Sequence, residues 1–324
     1  MNITVLIPTY RRPQDLTRCL KALQQQTRPA DEVLVVIRED DTATWELFQT
    51  HSFQPLPLKP IAVAVPGVVA ALNAGLAALQ GEIFCITDDD AVPHSDWLER
   101  IEAHFLADAQ VAGVGGRDWL HVGQTLQEAS IHPGASQTVG RVTWYGKLIG
   151  NHHIGEGEAR EVDLLKGVNM SFRRSAVGDQ QFDSRMKGTG AEVHFEIAFC
   201  LRLKRAGWKL IYDPQIAVDH YLGQRFDADQ RTFAFNPIAL CNAVHNETLI
   251  LLEHLSPFQR ILFLVWSVLV GTRSALGIIQ WLRFLPRDAK LAKQKWFASL
   301  QGRWQGWQTW QQKQLGSISS EEYL

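Results

Sequence analysis

Along the first third of the chain, short apolar runs alternate with stretches in which apolar side chains recur every three or four positions. Asn2 to Ile7 reads as a strand stopped by Pro8, and Asp15 to Gln26 as a helix with Leu16, Cys19, Leu20 and Leu23 on one face. Glu32 to Ile37 is apolar almost throughout, as expected of a strand covered on both faces. A short helix from Trp45 to Thr50, a strand from Ile61 to Val65 and an Ala- and Leu-rich helix from Gly67 to Gln80 follow. Then come a strand from Glu82 to Thr87 and a helix from Pro93 to Leu106, with Asp96 placed to cap it. This alternation predicts an α/β fold, a mostly parallel Rossmann-like sheet flanked by helices and joined by right-handed crossovers.

From Ala107 to Glu161 the pattern loosens into strand-and-loop material rich in Gly, His and Trp. The pair His152-His153 reads as solvated loop residues rather than metal ligands. Ala191 to Gly207 predicts a further helix, with strands at Trp208–Tyr212 and Ile216–His220. Asn236 to His254 reads as one helix, and Ile261 to Leu282 is strongly apolar. As one continuous helix that last stretch would be about 33 Å long, enough to span a bilayer. Arg273 near its middle, at a cost of about 2.5–3.5 kcal/mol, and Gly271 and Gly277 argue against spanning. An interfacial helix pair with tryptophans at headgroup level, a spanning helix and a buried hairpin all stay open.

The chain has 324 residues, 46% of them apolar, and a net charge of −2, which gives no support for a nucleic-acid partner. Four scattered cysteines without metal-type spacing, and no visible secretory signal, predict reduced thiols and a cytoplasmic setting. Gly-x-Gly-x-x-Gly after the first strand, the Walker-type loop and the Gly-x-Ser-x-Gly elbow are all missing.

Asp88-Asp89-Asp90 follows directly on the apolar run Ile83–Thr87. In parallel sheets ligands bind beyond the carboxyl ends of strands. On an extended segment Asp88 and Asp90 would point the same way and Asp89 elsewhere. So much like charge needs an offset, and a hard divalent cation suits it. The loops after strands one and two add Thr9-Tyr10-Arg11-Arg12 and Arg38-Glu39-Asp40-Asp41, so polar groups from three segments meet at one sheet edge.

Six segments in order resemble a family 2 glycosyltransferase of the GT-A fold. They are Val5–Arg12, Gly67–Asn73, Thr87–Asp90, Gly167–Arg173, Glu196 with Leu201–Trp208, and Tyr212-Asp213-Pro214 with Val218-Asp219-His220. The resemblance covers roughly residues 3–222. It implies an inverting, metal-dependent transfer of a sugar from a nucleotide-diphosphate sugar, with a UDP-sugar as the default donor, to a hydroxyl acceptor on a glycan or lipid-linked molecule. It implies residues 1–225 as the transferase domain, with 1–110 the donor half and 111–225 the acceptor half. Residues 226–324 would be a helical, membrane-associating extension, placing the protein peripherally or monotopically at the inner face of the cell membrane.

By the same resemblance Asp90 and His220 would hold Mn²⁺ or Mg²⁺, and Glu196 would be the general base. Pro8, Thr9, Tyr10, Arg12, Asp40, Asn73 and Asp88 would line the nucleotide. Two departures stand out. The second strand ends in Arg38-Glu39-Asp40-Asp41-Thr42 in place of the family's Asp-Asp-Gly-Ser, so Asp40 is the expected base-reading acid with Glu39 close behind. Phe195-Glu196 replaces the usual Glu-Asp, leaving Glu192 and His194 as competitors. A nucleotidyltransferase and a catalytically degenerate, membrane-bound binding subunit are the alternatives.

Overall fold

A computed structural model describes residues 1–123, 125–127, 134–188, 190–226 and 235–321, without the side chains beyond 312. The N-terminal elements are β1 (Ile3–Thr9), α1 (Pro13–Gln24), β2 (Glu32–Arg38), α2 (Thr42–Thr50), β3 (Leu58–Val63), α3 (Val68–Ala78) and β4 (Ile83–Thr87). After them come β5 (Ala91–Pro93), α4 (Trp97–Ala107), β6 (Val111–Val122) and β7 (Thr125–Leu126). The middle of the chain forms β8 (Arg141–Val142), β9 (Leu148–Ile149), β10 (Arg160–Val162), β11 (Asn169–Arg173) and α5 (Arg174–Val177). It continues through α6 (Phe195–Arg205) and β12 (Lys209–Tyr221), and the C-terminal part is helical: α7 (Pro237–His254), α8 (Pro257–Leu269), α9 (Ile278–Phe284) and α10 (Ala289–Glu321).

The main sheet runs β10-β12-β6-β11-β4-β1-β2-β3, with β5 paired to β12 and β7 to β6. β1, β2, β3 and β4 pair in parallel, as the alternation predicts. β11 inserts antiparallel between β4 and β6, and β5 and β10 also run antiparallel to β12. The predicted strands at 208–212 and 216–220 are one long strand, β12, bent by a register shift between Asp213 and Val218. Pro214 has no N–H to lend the ladder, so a bulge absorbs it. The third strand begins three residues earlier than its apolar run suggests. It is an edge strand with exposed positions, so periodicity marks it weakly. Asp96 is the N-cap residue of α4 but makes no capping bond; its carboxylate takes the Arg100 Nε–H at 2.5 Å instead.

The core of the sheet is built from residues that the pattern marks as apolar. Val5, Ile7, Val33, Val35, Ile83 and Cys85 are fully buried against Leu16, Leu20, Trp97 and Ile101. All four cysteines are free and buried. His152 is buried too, a correction to its reading as a solvated loop residue. Its Nε2 lies 3.1 Å from the Leu164 carbonyl, its ring meets Tyr212 edge-on, and burial lowers its pKa to about 4, so it is neutral.

Two compact units emerge. The first comprises Met1–Val142, Leu148–Phe182 and Glu196–Phe226. The second comprises Thr143–Lys147, Asp183–Phe195 and Asp227–Leu324. Within the second, α10 lies along α7 at very short range. Added Cβ atoms at Gly302 and Gly306 would sit 2.6 Å from the carbonyl oxygens of Cys241 and His245, so glycine at this four-residue spacing lets the helices approach. Buried Arg303 closes the contact with Glu247 at 2.6 Å and Thr248 at 3.0 Å. The apolar stretch Ile261–Leu282 is not one helix. α8 ends at Leu269, and Gly271, at φ 68°, starts a tight turn in which the Thr272 N–H bonds the Ala275 carbonyl at 2.8 Å. No described helix is long and apolar enough to cross a membrane, which removes the spanning reading of this stretch.

Gly116 on β6 is the tightest backbone approach in the sheet, because a Cβ there would stand 1.8 Å from the Ile216 carbonyl oxygen. Gly116→Ala should therefore cost about 2–3 kcal/mol or more. Urea unfolding followed by circular dichroism would measure this as a lowered midpoint at unchanged slope.

Candidate active site

The Asp88–Asp90 segment is a turn, not an extended strand end. The Ala91 N–H bonds the Asp88 carbonyl at 3.1 Å, and the chain re-enters the sheet as β5. The register then does the positioning. Ala91 stands opposite His220 on β12, the Tyr221 N–H bonds the Asp90 carbonyl at 2.9 Å, and the Gly223 N–H bonds Asp90 Oδ2 at 2.9 Å. The last residues of a strand 130 positions away are thus laced to the acidic turn.

Asp88, Asp90 and His220 each turn one ligand-capable atom into a common space, with those atoms all within 4.8 Å of one another. Asp90 and His220 are buried. Both ring nitrogens of His220 are buried and make no hydrogen bond among the described residues; its carboxylate contacts there are Asp90 at 3.4 Å and Asp118 at 3.6 Å. Two carboxylates and an imidazole, partly undersatisfied, form a donor set that fits Mn²⁺ or Mg²⁺. Asp88 joins Asp90 and His220 in this group, whereas the sequence reading places it along the nucleotide.

Asp89 turns the other way, into the protein. It takes the Thr9 hydroxyl at 2.7 Å and pairs with Arg12 Nη2 at 2.7 Å, while Arg12 Nη1 reaches Asp90 at 3.0 Å. Arg12 thus bridges two acids of the triplet. Burial pushes the Asp89 carboxyl up to about 7 against the pull of Arg12. Burial also opposes the charge on Arg12, but Asp89, Asp90, Asp88 and Asp15 together hold it protonated more firmly than usual.

Asp118, unnoticed in the sequence, is a fourth acid of this cluster. It is fully buried on β6, beside His220 and in a salt bridge with Lys166. Burial works to raise its pKa, yet His220 and Lys166 outweigh that and hold it down at about 2. A charged residue amid the Gly-rich apolar run 111–116 and Trp119 was the available signal.

The residues expected to line the nucleotide divide. Pro8 and Thr9 close β1. The Tyr10 ring lies under the guanidinium groups of Arg38 at 4.1 Å and Arg11 at 4.9 Å, edge-on to Phe226, with its hydroxyl 3.2 Å from Asp40. Asp40 is half exposed and held by Arg38 at 2.6 Å. Asp41 is buried; it caps α2 through Thr44 and takes the Arg11 N–H at 2.6 Å. Of the two neighbouring acids, Asp41 is committed to structure and Asp40 stays at the surface. Asn73 is likewise committed, exchanging hydrogen bonds with both backbone groups of Phe182 at 3.0 and 2.8 Å.

Glu196 lies in the first turn of α6, half-buried. Burial raises its pKa to about 7, against a weak lowering pull from Lys166 and with a further raising push from Asp88. Of the basic residues further along the helix, Lys204 pairs with Glu161 and Arg202 Nη2 donates to the Gln181 carbonyl at 2.8 Å. Glu192 is buried, and His194 sits at φ 78°, with burial depressing its pKa.

Residues 4–156 match the family model for glycosyl transferase family 2. A glycosyltransferase, AglE of Haloferax volcanii, is 34% identical over 102 residues, 30% of this chain and 33% of that protein. The chain spans about a third of the length of the first curated relatives it matches. Among solved structures, residues 1–349 of S. aureus TarS in complex with UDP-GlcNAc align with TM-score 0.59 at 16% identity, covering 93% of this chain and 80% of that one. The Pyrobaculum calidifontis mannosyltransferase PcManGT, in complex with GDP-Man and Mn²⁺, aligns with TM-score 0.55 at 19% identity, covering 93% and 84%. At these identities the structures establish a shared GT-A fold.

Removing Arg12 would strip two buried carboxylates of the cation they share, a change that typically costs about 3–5 kcal/mol. Arg12→Met should lose stability on that scale, and Mn²⁺ should restore more of it in the variant than in the parent. Thermal melts with and without Mn²⁺ would read both effects; equal metal responses would show that Arg12 does not share the charge with a cation.

Proposed function

We propose, from the match of residues 4–156 to the family model for glycosyl transferase family 2, that the protein transfers a sugar from a nucleotide-diphosphate sugar to an acceptor hydroxyl with inversion. The observation that carries this reading is the pairing of two features in the first unit. One is the Asp88, Asp90 and His220 group; the other is Glu196, whose carboxyl is raised to about 7 and senses the charge on Asp88. Asp88, Asp90 and His220 would hold Mn²⁺ or Mg²⁺, which when bound supplies Lewis-acid stabilisation for a departing diphosphate.

The chain's own groups do the rest. Tyr10 would meet the base, with its hydroxyl 3.2 Å from Asp40 and the guanidinium groups of Arg38 and Arg11 against its ring. Glu196 takes the proton from the acceptor hydroxyl as its oxygen bonds to the anomeric carbon, and the bond to the nucleoside diphosphate breaks on the opposite face. No covalent intermediate is required. A carboxylate with a pKa near neutrality is matched to that task. A UDP-sugar is the first donor to test, with GDP-sugars beside it. The acceptor hydroxyl would belong to a glycan or a lipid-linked glycan.

Thermal-shift measurements with UDP and GDP should show a nucleotide response that grows with Mn²⁺. Asp90→Ala should abolish the metal-dependent part. Full transfer activity in both Asp90→Ala and Glu196→Gln would end the assignment.

Glu196 must be ionised to accept a proton. Below its pKa of about 7, kcat/KM should therefore fall about tenfold per pH unit, and above it level off. Glu196→Gln should lose about 10²–10⁴-fold in kcat while keeping the nucleotide and Mn²⁺ shift. A flat profile between pH 5.5 and 8 would exclude it as the base, since a fall of roughly thirtyfold would then be missing.

A further inference from the structure

The second unit carries an apolar surface that none of its own described residues cover. On α8 the exposed side chains are Phe258, Ile261, Val265 and Leu269, each more than 45% accessible. Their spacings of three, four and four residues put all four on one stripe of the helix. The opposite stripe, with Phe263 and Ser267, is buried. α9, reached through the tight glycine turn, packs against α8 and α10 and exposes Ile279 and Leu282. The two helices together show six large apolar side chains to solvent, beyond what scattered surface residues account for.

Charge selects the occupant. Between Pro257 and Phe297 the chain has seven Lys and Arg against one acid, Asp288, although its overall charge is −2. Arg273, Arg283, Arg287, Lys290 and Lys293 are exposed. A second copy docking face to face through the same stripe would set one basic cluster against another with almost no acidic complement. A surface that is apolar below and negatively charged above meets both needs, and helices of this character lie in the plane of such a surface.

We propose that α8 and α9 form an in-plane docking surface for anionic lipid bilayers: the α8 stripe enters the headgroup–acyl boundary, and the flanking Arg and Lys pair with lipid phosphates. This surface is independent of the donor and base assignments, all of which concern the first unit. The tryptophans contribute less to it than their number suggests, because Trp281 and Trp296 stack on each other at 4.7 Å instead of facing outward.

The test is flotation of the full chain with phosphatidylcholine vesicles, with and without phosphatidylglycerol. The protein should float with the anionic vesicles, weakly with the neutral ones, and be released by high salt. Val265→Glu combined with Leu269→Glu should lower partitioning at least tenfold. Arg283→Glu combined with Arg287→Glu should erase the preference for phosphatidylglycerol. All four positions are exposed, so thermal melts and the nucleotide-induced shift should be unchanged. Failure of the wild-type chain to float, or flotation indifferent to both double variants, would overturn the proposal. So would a dimer that the Val265/Leu269 variant converts to monomer, because the stripe would then be a contact between copies.

Discussion

Charge compensation at the acidic turn after β4 is the constraint on which the site depends. Three consecutive carboxylates in a largely buried turn are unstable alone, and the chain answers with groups from widely separated segments. Arg12 spans Asp89 and Asp90, the Gly223 N–H binds Asp90, and His220 stands between Asp90 and Asp118. Each answering group is delivered by a backbone element whose place is fixed for other reasons. Arg12 sits at the start of α1 because β1 ends at Thr9, and His220 arrives because β12 pairs with both β5 and β6. The sheet and the site are therefore held by the same hydrogen bonds.

This arrangement separates the acids by role. Asp89 faces inward and secures the loop after β1 through Thr9 and Arg12, while Asp88 and Asp90 face a shared space with His220. Asp118 anchors the far side of the imidazole through its own bond to Lys166. A set of buried like charges with incomplete hydrogen bonding is costly, and such cost persists where a bound cation can repay it. Glu196 owes its raised pKa mainly to burial, with a smaller push from Asp88.

The second unit follows different physics. α7 and α10 are welded by glycine-mediated backbone approach and by the buried Arg303–Glu247 pair. α8 and α9 keep only one face in that packing. Gly271 and Gly277, which in sequence look like flaws in a spanning helix, are what allow the turn between them, because a Cβ on Gly271 would stand 2.2 Å from the Gly277 nitrogen.

The alternation of apolar runs, the position of the acid triplet at a strand end and the helix carrying Glu196 were legible in the residues themselves. Local periodicity and composition suffice for buried parallel strands and amphipathic helices. Other features were not legible because they depend on register and on long-range pairing. Asp88 and Asp90 converge through a turn clamped by β12, not through strand alternation. Arg12 is bound to the acids, Asp41 is spent on capping α2, Asn73 is spent on the backbone of Phe182, and Asp118 joins the cluster only because β6 lies beside β12. The chain alone determined which residue types carry the chemistry. Only the folded structure decided which of them face one another, because partners from Arg12 to Gly223 meet through sheet pairing that no local stretch encodes.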